Sequence, residues 1–133
     1  MFIGGRSAIF KAINGATGQL IWEFWPSSNG LNPKDSGQLQ FYSAQWLPDQ
    51  NSDGYSDLLV SNGGDPDALP WDTNRLPGHL MILDALTGQI LSRAVVPDSQ
   101  ETYCSPIVAD LANDGDLEII YGTGGETING HLY

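Results

Sequence analysis

The sequence predicts an all-β chain built from repeated antiparallel units, and three observations carry that prediction. An acidic loop occurs twice, 61 residues apart, as Asp49-Gln-Asn51-Ser-Asp53-Gly54-Tyr-Ser-Asp57 and Asp110-Leu-Ala-Asn-Asp114-Gly115-Asp-Leu-Glu118. Each copy runs into a short apolar stretch that ends in Gly-Gly, at Gly63-Gly64 and at Gly124-Gly125. A second motif recurs at an offset of 70, as Asn14-Gly-Ala-Thr17-Gly18-Gln19 and Asp84-Ala-Leu-Thr87-Gly88-Gln89.

The order within a unit is strand, acidic loop, strand ending in Gly-Gly, strand, Asx-x-x-Thr-Gly turn, strand. Four short strands per unit is the build of a propeller blade. In the middle unit the strands fall near 41–47, 58–62, 79–84 and 89–96. The turn motif joins the last two, because Asn or Asp bonds back to the local backbone and Gly18 or Gly88 can take the left-handed conformation. The unit is lengthened by the insertion Asp65–Pro77, which carries Trp71, Asp72 and Arg75. Insertions in repeats map to one face; Trp71 is expected to fold back on its own blade rather than dock a partner or sugar. Trp22, Trp25 and Trp46 lie in or beside strands and are expected in the core.

The ends follow the same pattern. Phe2-Ile3-Gly4-Gly5 matches the strand after an acidic loop, and Gly130-His131-Leu132-Tyr133 repeats Gly78-His79-Leu80-Met81. The expected fold is therefore a β-propeller fragment of about two to two-and-a-half four-stranded antiparallel blades. Its divisions are a truncated first blade over 1–40, a complete blade over 41–102 and a truncated third blade over 103–133. Further blades of the same parent protein are expected partners, since a closed propeller has typically 4–8 blades.

Carboxylates at loop positions 1, 5 and 9 with glycine at 6 are a pattern for calcium, which takes about 6–8 oxygen ligands at roughly 2.3–2.6 Å. In the first loop the expected ligands are the side chains of Asp49, Asn51, Asp53 and Asp57, with the Tyr55 carbonyl. In the second they are Asp110, Asp114 and Glu118, with the Asp116 carbonyl. Ala112 stands where the first loop has Asn51, so one side-chain ligand is missing there, and water or an empty position are both open. Asp/Asn/Gly clusters also form ordinary turns, but two in the same register favour the metal. An EF-hand is disfavoured because position 12 is Val60 or Tyr121 rather than a bidentate glutamate, and because strand-like residues follow each loop.

Composition narrows the function classes. Sixteen acids against five bases leave a net charge of −11, and no basic patch exists to neutralise phosphates, so nucleic acid and anionic membranes are disfavoured. At 41% hydrophobic residues the chain can bury a core, yet no apolar run approaches the roughly 18 residues of a span. Met1-Phe-Ile-Gly-Gly-Arg lacks the long apolar segment of a signal peptide. Cys104 is the single cysteine, so no intrachain disulfide exists; it reads as a small buried hydrophobe. His79 and His131 hold equivalent positions, which marks them as repeat features rather than a catalytic pair, and no catalytic residue is assigned.

Asp49–Gly64 and Asp110–Gly125 resemble the FG-GAP repeat, the calcium-loop blade of integrin-α-like propellers. The Asx-x-x-Thr-Gly turn followed by Trp22 resembles the hairpin of propellers related to pyrroloquinoline-quinone enzymes, although Ser92 replaces the tryptophan in the second copy. The resemblance implies a propeller scaffold, calcium held within the blades and binding through the faces, but no single activity. The leading expectation is a calcium-stabilised extracytoplasmic module for binding or adhesion, extracellular or at the bacterial periplasm or cell surface, with a protein or carbohydrate ligand. The alternatives are part of a propeller enzyme, a quinoprotein dehydrogenase or polysaccharide lyase, and an envelope assembly scaffold.

Overall fold

A computed structural model describes residues 1–4, 9–24, 41–63 and 77–124. These residues form nine strands and no helix: β1 Phe2–Gly4, β2 Phe10–Ile13, β3 Leu20–Phe24, β4 Gln45–Leu47, β5 Asp57–Asn62, β6 His79–Leu83, β7 Ile90–Val95, β8 Ile107–Ala109 and β9 Glu118–Ile120. They make three antiparallel sheets, ordered β1-β2-β3, β4-β5-β6-β7 and β8-β9. Neighbours in sequence are neighbours in each sheet, the meander expected of blades, and none of the three sheets closes on itself. The chain is all-β, as its sequence predicts, and the described strands fit a run of about two blades.

The two hairpins repeat at the level of single hydrogen bonds. Asn14 N–H donates to the Gln19 carbonyl (2.8 Å) and Gly18 N–H to the Asn14 carbonyl (2.8 Å); Asp84 with Gln89 (2.9 Å) and Gly88 with Asp84 (2.8 Å) do the same. The Asn14 Oδ1 accepts from the amides of Ala16 and Thr17, and the Asp84 Oδ1 from those of Leu86 and Thr87. The side chain thus stands in for a turn acceptor, which is why Asn or Asp opens both copies. The ladder shifts register at Ala12/Ile13 in one hairpin and at Ile82/Leu83 in the other. By this correspondence β2 and β3 match β6 and β7, and β1 matches β5.

Strand β5 is the centre of the four-stranded sheet, and all six of its residues are buried. Leu58 and Val60 join Met81 and Leu83 on the face that meets Phe10, Ala12, Trp22 and Phe24 of the first sheet, with Phe41 wedged between. The Phe41 ring lies 5.3 Å from Phe10, stacked, and 5.3 Å from Phe24, edge-on. Aromatic area dominates this seam, and such pairs contribute about 0.5–1.5 kcal/mol beyond burial. On the other side Ser61 Oγ donates to the Cys104 carbonyl at 2.5 Å and Ser43 N–H to the Ser105 hydroxyl at 3.1 Å, tying the middle sheet to the third.

Several expectations are corrected here. Strand β4 begins at Gln45 rather than 41, and Phe41 makes only an isolated bridge to Asn62. Trp22 is buried, but Trp46 is 60% exposed. It sits opposite Leu58 on the face turned to the first sheet, where the ring of Phe2 meets it edge-on at 5.6 Å. Cys104 is half-buried and polar in its contacts: its Sγ donates to the Gly122 carbonyl at 3.2 Å and accepts from the Gly122 amide at 3.1 Å. Trp25, the insertion residues 65–76 with Trp71, and His131 lie outside the described residues.

Candidate metal-binding loops

Each acidic loop connects the two strands of a hairpin, β4 to β5 and β8 to β9. In the first, Asp49 is the hub. Its Oδ1 accepts from the amides of Asn51 (3.1 Å), Ser52 (2.6 Å) and Asp53 (3.3 Å), and its Oδ2 from the amide of Gly54 (2.8 Å). Asn51 Oδ1 accepts from Asp53 N–H at 3.0 Å, while its Nδ2 donates to Asp53 Oδ2 at 3.2 Å. Asp53 Oδ1 accepts from Tyr55 N–H at 2.8 Å, and Asp57 Oδ2 closes the loop by accepting from Gln50 N–H at 2.6 Å.

The second loop repeats the frame. Asp110 accepts from Asp114 N–H (3.1 Å) and Gly115 N–H (3.0 Å), Asp114 from Asp116 N–H (3.0 Å), and Glu118 from Leu111 N–H (2.6 Å). The backbone twists alike: φ is +65° at Ser52 and +90° at Gly54, +57° at Asn113 and +93° at Gly115. A left-handed position twice within three residues needs glycine at the second and a short polar residue at the first. Ala112 removes the two bonds that Asn51 makes.

The loops differ in how they are closed. Leu47 pairs with Asp57, but Ala109 pairs with Glu118, so the second hairpin is one residue tighter. Pro48 occupies the place of Ala109 and has no N–H to give the ladder. Asp57 is 1% exposed at the head of β5, whereas Glu118 is half-buried.

All nine sequence-predicted positions thus fall on two loops of one design. The donor set is hard oxygen throughout, which suits calcium. A carboxylate holds about four acceptor sites, so backbone bonds leave lone pairs to spare. Among the described residues no group of three or more His, Cys, Asp or Glu side chains is gathered as a metal cluster; the carboxylates point instead to the loop's own amides. Those amides hold Asp49 below its ordinary carboxylate pKa of 3.8, with the Gly54 bond first, then desolvation in the opposite sense, then Ser52, Asn51 and Asp53.

Other polar groups had little signal in the sequence. Glu101 and Thr102 are buried in the connection to the third sheet, where Tyr103 Oη donates to Glu101 Oε2 at 3.1 Å. His79 is buried opposite Asn62, and among the described residues neither polar atom of the Asn62 carboxamide has a hydrogen-bond partner. The offset of 61 does find one contact: Tyr42 and Tyr103, equivalent by repeat, meet edge-on at 6.4 Å.

No helix among the described residues is long and apolar enough to cross a membrane. No family model, no curated protein and no solved structure matches the chain.

Proposed function

We propose that this chain is a calcium-stabilised, extracytoplasmic β-propeller module used for binding or adhesion, with no catalysis in this segment. The ligands are Asp49, Asn51, Asp53, the Tyr55 carbonyl and Asp57 in the first loop, and Asp110, Asp114, the Asp116 carbonyl and Glu118 in the second. The observation that carries this reading is the repetition of one acidic loop frame, with the same left-handed positions and the same carboxylate acceptors, at equivalent places in two hairpins. A turn needs one such carboxylate, whereas the first loop crowds three into nine residues and the second four. Their mutual repulsion costs free energy that a divalent cation removes. For the exposed Asp49, Asp53, Asp110 and Asp114, turning a carboxylate from an amide toward a common centre is a side-chain rotation. Extracellular calcium modules work at roughly 10⁻⁴–10⁻³ M, which suits a calcium-rich exterior.

The test is a melting curve in millimolar Ca²⁺, in Mg²⁺ and in chelator. Calcium should raise the midpoint more than magnesium, which demands a tight octahedron at about 2.0–2.1 Å. Identical curves in all three would remove the metal from the reading.

A further inference from the structure

The two hairpin turns share one frame but differ at its first two positions. Asn14-Gly15 opens the first and Asp84-Ala85 the second. The bonds are the same in both. Asn14 Oδ1 accepts from Ala16 N–H at 2.9 Å and Thr17 N–H at 3.2 Å; Asp84 Oδ1 accepts from Leu86 N–H at 2.7 Å and Thr87 N–H at 3.2 Å. The frame therefore takes a carboxylate as readily as a carboxamide, and its second position needs no glycine. Gly15 has no positive φ, and a Cβ built on it would meet nothing within 4 Å. The second turn lies under the Trp22 ring, whereas residues 14–19 are exposed. Among the described residues the Gly15 N–H has no hydrogen-bond partner.

We propose that Asn14 is a site of spontaneous deamidation and that its own turn promotes the reaction. The Gly15 nitrogen gives its proton to hydroxide and attacks Asn14 Cγ, forming a C–N bond. Charge develops on Oδ1, at which the Ala16 and Thr17 amides already point. Donors preorganised around a developing oxyanion lower such a barrier. The carboxamide nitrogen takes up a proton and leaves as ammonia, which closes a five-membered succinimide. Water then opens the ring at either carbonyl, to aspartate or to isoaspartate, and nothing is oxidised or reduced. Aspartate at 14 restores the arrangement seen at Asp84. Isoaspartate routes the backbone through the side-chain methylene and takes out of the chain the Asn14 carbonyl that accepts from Gly18 N–H. The turn that feeds β3, and with it Trp22, then loses a closing bond. Asn62-Gly63 is the same dipeptide without the access: Asn62 is fully buried, and a Cβ on Gly63 would sit 2.4 Å from the Gly78 Cα. The proposal does not depend on calcium.

The test is storage of the folded chain at neutral pH, with peptide mass spectrometry at intervals and isoaspartate read by an isoaspartate-specific methyltransferase. Asn14 should exchange its amide for an acid ahead of Asn51, Asn62 and Asn113, and no more slowly in the folded chain than in urea. Gly15→Ala, which copies Ala85, should slow the exchange about tenfold and leave the melting midpoint in place, because a Cβ restricts the backbone of the attacking nitrogen. Asn14→Asp should melt like the parent, and the isoaspartate fraction below it. An intact Asn14 after Asn51 or Asn113 has converted, or conversion that is faster in urea, overturns the proposal. Equal rates in Gly15→Ala overturn the assignment of the Gly15 nitrogen as the attacking group.

Discussion

The indole Nε1–H of Trp22 donates to the carbonyl of Ala85 at 2.9 Å, across 63 residues and between two sheets. The ring lies on the turn that follows: a Cβ built on Gly88 would sit 2.6 Å from the Trp22 Cε3. One side chain of the first hairpin therefore caps the turn of the second, and the glycine serves both a left-handed φ of +75° and a close approach.

Gly88→Ala should accordingly destabilise the chain by more than about 1 kcal/mol, the sum of strain at positive φ and a clash with a ring. Trp22→Phe, which keeps most of the area but strands the Ala85 carbonyl, should cost roughly 1–3 kcal/mol. In urea denaturation the double variant should lose less than the two single losses added, because both act on one contact. Strict additivity would show that Trp22 and Gly88 contribute independently.

In the first acidic loop Asp53→Ala should harm calcium binding more than Asp114→Ala does in the second. Asp53 is bonded to Asn51 and to Tyr55 N–H within the full set of proposed ligands, whereas the second loop has Ala112 where the first has Asn51. Calcium titration of both variants decides the ranking, and a larger loss in Asp114→Ala reverses it.

Asp49 has a sign that can be followed with pH. Its folded pKa lies below the ordinary 3.8, chiefly through the Gly54 amide, so its ionised form is favoured by folding. That contribution is fully present above 3.8 and is lost as pH falls through the lower folded value. Asp49→Asn keeps an acceptor but no charge. The stability gap between the two proteins, measured by urea denaturation in chelator, should be constant from about pH 7 to about pH 5 and narrow below that. A gap that widens in acid contradicts the assignment.

Asn62 is fully buried, opposite His79 and bridged to Phe41, and both its carboxamide atoms are unpartnered among the described residues. A buried polar group without a partner costs about 1–3 kcal/mol. Asn62→Leu, with the same branching and number of heavy atoms, should therefore hold or raise the thermal midpoint. A clear fall would mean that the carboxamide is engaged by a bound group.

What the sequence determined by itself is what depends on residues within about one turn of each other. The two Asx-x-x-Thr-Gly turns, the strands around 58–62, 79–84 and 89–96, and the two loops follow from side chains that bond to nearby amides and from alternation along short strands. Asp49 meets Gly54, and Asn14 meets Thr17, without any help from the rest of the chain. The tertiary structure decided what depends on which surface is opposite. Trp22 and Trp46 are alike as sequence, strand tryptophans beside apolar neighbours, but one is buried on the turn of the next hairpin and the other stays exposed against the edge of Phe2. The closing carboxylates Asp57 and Glu118 match by repeat, but Asp57 begins a strand flanked on both sides while β9 pairs only with β8 among the described strands, and Asp57 is the more deeply buried. Burial is set by neighbours 40 to 60 or so positions away, as with Ser61 and Cys104 or Trp22 and Ala85; local propensity carries no record of them.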